Sequence, residues 1–178
     1  ACTAALSVNV PKPDDASAPV YMYSDAAKEG STADSGLGGY MHGLWWSLPL
    51  KRSDLDMPIV LLEFITFVIN FLVFASRLRG MMVVARTDSL GIAQIFNRLS
   101  ATTASLQFPH AALLKMPEFI ALVLGWLVVE HVFGDGNPAA DMASRGRFRE
   151  LAQLCAQIGV RSERVSVPAT AIAFLASV

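Results

Sequence analysis

Four carboxylates and one imidazole stand where this sequence has least need of charge. Asp25 follows a short β-prone run, Val20-Tyr21-Met22-Tyr23, and Asp88 closes the apolar segment Met81–Arg86 within Thr87-Asp88-Ser89. Asp141 falls in the first turn of a helix that Asn137 caps and Pro138 opens, and Glu63 is the sole charge between Met57 and Ser76. His131 precedes Asp141 by ten residues. A carboxylate in apolar surroundings is costly unless it is paired, hydrogen-bonded or bound to a cation. Ligands of open α/β sheets gather beyond the carboxyl ends of parallel strands, which is where Asp25 and Asp88 would project. Each aspartate also has a plain structural use: Asp25 can open a turn, Asp88 can cap with Ser89, and Asp141 can complement a helix dipole. Glu63 has no such use, because its apolar surroundings offer no local cation.

The elements that must position these groups follow from composition and punctuation. Residues 1–18, with PKPDDASAP, read as an extended arm. A strand at Val20–Tyr23 is followed by a polar connection over 28–38 and by one or two aromatic strands over Gly39–Leu50. Asp56 and Pro58 begin a long helix that basic residues and Gly80 end. Met81–Arg86 is a buried strand, and Ser89 caps a helix from Leu90 to about Leu99. A helix or helix pair spans 109–123, a strand spans Leu124–Val132, and a last helix runs from Pro138 to about Ile158. Residues 160–178 read as a tail. The order predicts one α/β domain over 19–159, a mixed five-stranded sheet flanked by helices.

Taken together, the acidic motifs resemble the ribonuclease H family, especially the domain found in retrotransposon polyproteins beside a reverse transcriptase. The matching pieces are Tyr23-Ser24-Asp25-Ala26 with Gly36-Leu37-Gly38-Gly39-Tyr40, Leu62-Glu63-Phe64, Arg86-Thr87-Asp88-Ser89, and His131-Val132-Phe133-Gly134 through Asn137-Pro138-Ala139-Ala140-Asp141. That family uses an Asp on its first strand, a Glu on its first helix, an Asp-Ser at the end of its fourth strand and an Asp on its last helix. The resemblance implies a ribonuclease H-like fold and endonucleolytic cleavage of the RNA strand of RNA–DNA hybrids. It implies Asp25, Glu63, Asp88 and Asp141 as ligands of two magnesium ions, with manganese an alternative, and His131 as an aid to proton transfer or product release. Hard oxygen ligands suit magnesium, and two such ions roughly 3.5–4 Å apart activate a water and stabilise the leaving oxygen. Selectivity for RNA needs contacts to the 2′-hydroxyl.

Other residues point elsewhere. Trp45-Trp46 reads as packing rather than a stacking platform, and His42 and His110 lack a zinc-like spacing. The glycines at 36–39 suit a tight hairpin and form no phosphate loop. Arg145, Arg147 and Arg149, on alternate positions of one helix, would point to different sides as a solvated surface. Cys2 and Cys155 are too far apart for a metal knuckle and read as free thiols.

Composition bounds the function further. Hydrophobic residues make up 53% of 178 and charged residues 16%, which excludes disorder, and a net charge of −1 excludes a global basic field. Residues 97–118 hold only Arg98 and Lys115 as cations, so phosphate neutralisation there is weak and a partner must supply basic surface. Two alternatives stay open: a catalytically inactive structural subunit of a larger assembly, and a membrane protein spanning at 57–76. A cytoplasmic or nuclear location would follow from a retroelement origin alone.

Overall fold

The computed structural model describes residues 18–29, 31–98 and 127–177. The expected arm (1–18, save its last residue) and the expected helices of 109–123 lie outside them. In chain order the elements are β1 (Val20–Ala27), β2 (Gly36–Met41), β3 (Leu44–Pro49), α1 (Ile59–Leu78), β4 (Val83–Thr87), α2 (Leu90–Arg98), β5 (Leu127–His131), α3 (Pro138–Ser144), α4 (Phe148–Gln157), β6 (Glu163–Arg164) and α5 (Ala169–Ala176). The sheet order is β5-β4-β1-β2-β3-β6. β1, β2 and β3 form an antiparallel meander, while β4 runs parallel to β1 and β5 parallel to β4. This is the mixed α/β sheet the sequence predicts, with one added two-residue strand at its edge.

The meander turns at His42 and Gly43, whose φ angles of 46° and 84° suit a two-residue hairpin. In β1, alternation sends Met22 and Ala26 into the main core and Asp25 to the opposite face, where Ser144 of α3 meets it. α1 is apolar nearly all round because it is covered from several directions. Twelve of its twenty residues are buried, against β1 and β2, against α2 and against α5. Phe96 of α2 lies 5.7 Å from Phe64 and 4.2 Å from Phe67 between ring centroids. The helix is long and apolar enough to cross a membrane, yet here it is the central helix of an α/β core. Val83 and Val129 join that core, whereas Val128 is 42% exposed, since neighbours on a strand face opposite ways.

Asn70 sets where α1 sits. Its Nδ2 donates to the Tyr23 carbonyl at 3.0 Å, and its Oδ1 accepts from Trp46 Nε1 at 2.8 Å. The second bond passes over Gly39, where a Cβ would stand 2.0 Å from Asn70 Oδ1. Trp46 is thus fully buried in the core, and Trp45 faces the other side, stacked on Phe148 at 4.8 Å with its Nε1 donating to Ser162 at 3.0 Å. Both tryptophans pack, as the sequence suggests. On that other side α3 lies directly on β2: a Cβ at Gly38 would come within 2.3 Å of the Ser144 amide nitrogen and 2.8 Å of the Ala140 oxygen.

Three expectations need correction. The single helix of 138–158 is two helices, because Gly146 takes a φ of 69° that ends α3 in the left-handed region. Residues 160–177 are no tail, for β6 pairs with β3 and α5 lays Ala171 and Phe174 on the core. Asp56 does not cap α1: Asp54 accepts from the Lys51 amide at 2.8 Å, closing a separate 3₁₀ turn at Arg52–Asp56, and Pro58 precedes the helix proper.

The contact at Gly38 sets a stability test. Gly38→Ala should destabilise the domain by about 3 kcal/mol in urea denaturation, because backbone atoms of α3 cannot yield to a methyl group. Gly91→Ala, with nothing nearer than 4.0 Å, should be neutral or stabilising by roughly 0.5–1 kcal/mol. Equal effects at the two positions would refute the close approach of α3.

Candidate functional site

Topology and the packing of α3 bring the five predicted site residues to the end of the sheet where its parallel strands finish. Asp25 lies near the carboxyl end of β1, Asp88 directly follows β4 and His131 ends β5, three strands that run parallel. The crossover helix α1 runs back against them, so its first turns, with Glu63, lie at the same edge. Asn70, about two turns further on, anchors the helix to the Tyr23 carbonyl and so sets where Glu63 emerges. Asp141 enters from the opposite face on α3, which Gly38 lets down onto the sheet.

Each acid has particular company. Ser144 Oγ donates to Asp25 Oδ2, and Asn137 Nδ2 donates to the Ser24 carbonyl at 3.0 Å, pinning the start of α3 beside β1. The Ser89 side chain, on the residue after Asp88, lies beside Glu63 and favours its ionised form. The amide of Ser89 donates to Thr87 Oγ1 at 3.1 Å, which shapes the turn that carries Asp88. His131 Nε2 stands 3.1 Å from the Asp88 carbonyl oxygen, with its ring exposed and edge-on to Phe133 at 5.6 Å. Asp141 is half-buried and tied to two arginines: Arg145 Nε donates to Oδ1 at 2.6 Å, and Arg147 donates to Oδ2. The expected solvated surface of Arg145 and Arg147 is thereby corrected. Arg145 reaches Asp141 from one turn along α3, the break at Gly146 turns Arg147 back onto it, and Arg149 remains exposed.

The electrostatics record the crowding. Burial raises the Asp25 pKa to about 6, with the Asp88 and Asp141 carboxylates adding and the Ser144 hydroxyl and Arg145 opposing. Burial likewise raises Glu63, with Asp88 adding and Ser89 opposing. Asp88 is raised by burial and by Asp141, against its own backbone and His131. Asp88 is therefore the centre of a like-charge group.

Whether these residues fit metal ions divides on two observations. The donors are hard carboxylate oxygens, as divalent magnesium or manganese requires. Yet among the described residues no three Asp, Glu, His or Cys side chains are gathered closely enough to hold an ion, and both oxygens of Asp141 are occupied by guanidinium groups. The arrangement as it stands does not form the two-ion site that the resemblance implies.

Sequence reasoning missed the part that three residues play here. Ser144 is a small hydroxyl without a motif of its own. Arg145 stands four residues after Asp141, a spacing that signals a helical ion pair. Arg147 gave no local signal, since only the break at Gly146 brings it round.

A mixed sheet in this order, with a crossover helix on one face and a short helix closing the acidic edge from the other, is a ribonuclease H-like fold. Among solved structures, RNase H1 from the halophilic archaeon Halobacterium salinarum matches 75% of this chain and 99% of its own, at 15% identity and a TM-score of 0.55. An RNase H1 isolated from compost by a metagenomic approach matches 74% of this chain and 98% of its own, at 15% identity and a TM-score of 0.48. No protein-family model matches the sequence, and no curated protein matches it. At this identity the likeness is one of fold.

A pH test follows from Asp25. Its pKa is 3.8 ordinarily and about 6 in the folded state, so the folded state binds more protons between these values. Stability must then fall as pH rises through that window and stay reduced above it. In chelator-treated buffer, Asp25→Asn should stabilise the domain by about 1–3 kcal/mol at pH 7.5, with the gap closing below pH 4. Thermal melts across that range decide it; a variant less stable at pH 7.5 would refute the burial cost.

Proposed function

We propose that this chain is a nuclease of ribonuclease H type that hydrolyses the RNA strand of RNA–DNA hybrids. The observation that carries the reading is the convergence of Asp25, Glu63, Asp88, Asp141 and His131, named from sequence motifs, on one edge of a ribonuclease H-like sheet. The solved relatives supply the substrate class by analogy, being RNase H1 enzymes.

The chemistry can be stated for the chain's own groups. With no cation bound the Asp25 carboxyl is lifted to about 6, and a cation beside it would favour the ionised form, which can orient water beside a phosphate. The bond from the Ser89 amide to Thr87 Oγ1 holds the Asp88 turn and keeps that carboxylate at the strand end. His131, exposed at the rim, would exchange a proton with the departing oxygen. A divalent cation, when bound by these oxygens, would supply charge stabilisation for the phosphate. Its requirement belongs to this proposal and rests on donor chemistry. The retroelement affiliation and a reverse transcriptase partner belong to it too, resting on the motifs and on the scarcity of cations in 97–118.

A second reading, an inactive structural subunit, is favoured by one observation: Asp141 is neutralised by Arg145 and Arg147. Cleavage of a labelled hybrid with magnesium chloride at low and moderate salt separates the two. The expected result is cleavage that weakens steeply with salt, is abolished by chelator and falls by about 100-fold or more in Asp88→Asn. Cleavage unaltered in Asp88→Asn would leave Asp88 only a turn residue, and no cleavage under any condition would leave the structural reading.

A further inference from the structure

Both oxygens of Asp141 are engaged, and the chain is shaped to engage them. Arg145 Nε reaches Oδ1 from one turn further along, and its Nη1 goes on to Glu29, just after β1. Arg147 reaches Oδ2 from beyond the break at Gly146, and its Nη1 stands 3.8 Å from Glu150. In an unbroken helix, positions 145 and 147 would lie about 200° apart round the axis and could not both face Asp141. The left-handed Gly146 is what permits it, and the Arg147 amide caps the turn by donating to the Met142 carbonyl at 2.8 Å.

We infer that this chain carries an arginine clamp, Arg145 and Arg147 on Asp141, that withholds Asp141 from cation binding and puts fixed positive charge in its place. The clamp has consequences only if the acidic edge takes up cations, as the proposed function holds. A carboxylate accepting charge-assisted bonds on both oxygens presents its lone pairs to nitrogen. A divalent ion arriving there meets two guanidinium groups that stay charged at any attainable pH. Releasing the clamp would strand more donors on Arg147, whose Nε is already buried without a partner. Glu29 ties the arrangement to the end of β1, so the clamp also braces α3 against the strand that bears Asp25.

The test counts ions rather than turnover. Manganese chloride alone is titrated into the unaltered chain, into Asp141→Asn and into the double variant Arg145→Gln with Arg147→Gln, and bound ions are read by calorimetry and by the manganese spin signal. The double variant should take up one ion more than the unaltered chain, and Asp141→Asn should leave the number of bound ions unchanged. Equal counts in the double variant and the unaltered chain would overturn the clamp, as would loss of an ion in Asp141→Asn. Should the double variant fail to fold, the comparison of Asp141→Asn with the unaltered chain decides alone. Hybrid cleavage is measured on the same samples: an extra ion without cleavage removes the proposed activity and leaves the clamp, whereas cleavage with equal counts removes the clamp and leaves the activity.

Discussion

Strand β2 is covered on both faces, and the missing side chains at Gly38 and Gly39 are what let the covers close. On one face the backbone of α3 comes so near Gly38 that any Cβ would collide with it. On the other the Trp46–Asn70 hydrogen bond crosses the space that a side chain at Gly39 would fill. Because Gly38 pairs with Asp25 across the sheet, the first contact also sets the height of Asp141 and Ser144 above Asp25. Because Asn70 belongs to the helix that bears Glu63, the second sets where that carboxylate leaves the core. Two adjacent absences of side chain thus govern both approaches to the acidic edge.

The price of that closeness is electrostatic. Three carboxylates are raised by burial, and Asp88 feels Asp141 while Asp25 feels both. A fold keeps such a group only with compensation. Here it comes in two forms: hydroxyl donors from Ser144 and Ser89, which stabilise charge without adding any, and guanidinium groups on Asp141. The hydroxyls leave the carboxylates available for chemistry, and the arginines do not. The edge is accordingly asymmetric, with Asp25, Glu63 and Asp88 lightly held and Asp141 firmly held.

The long helix α1 shows how composition can be read two ways. Its apolar run suits a bilayer and a protein core alike, because both solvents ask the same of side chains. The polar groups distinguish them. Asn70 finds two partners in the sheet, Thr66 donates to the Leu62 carbonyl at 2.6 Å, and Glu63 reaches the edge where Ser89 waits. The buried polar residues of the helix, Thr66 and Asn70, each meet a specific partner within the domain.

What the sequence determined by itself were the properties carried by neighbours in the chain. Period-two and apolar runs placed the strands, Ser89 and Pro138 marked the starts of α2 and α3, and acids at the ends of elements marked Asp25, Asp88 and Asp141, with Glu63 the sole charge of an apolar run and His131 ten residues before Asp141. The order of elements then implied the α/β class. Tertiary structure decided the rest. One helix became two at Gly146 because a left-handed glycine was needed to bring Arg147 onto Asp141, a partner fixed by packing on β2 and not by spacing. The apparent tail became β6 and α5 because the edge of β3 and the outer face of α1 were free to receive them. Local pattern shows which face of an element is apolar or which residue is charged; what covers that face, and what meets that charge, depends on segments distant in the chain.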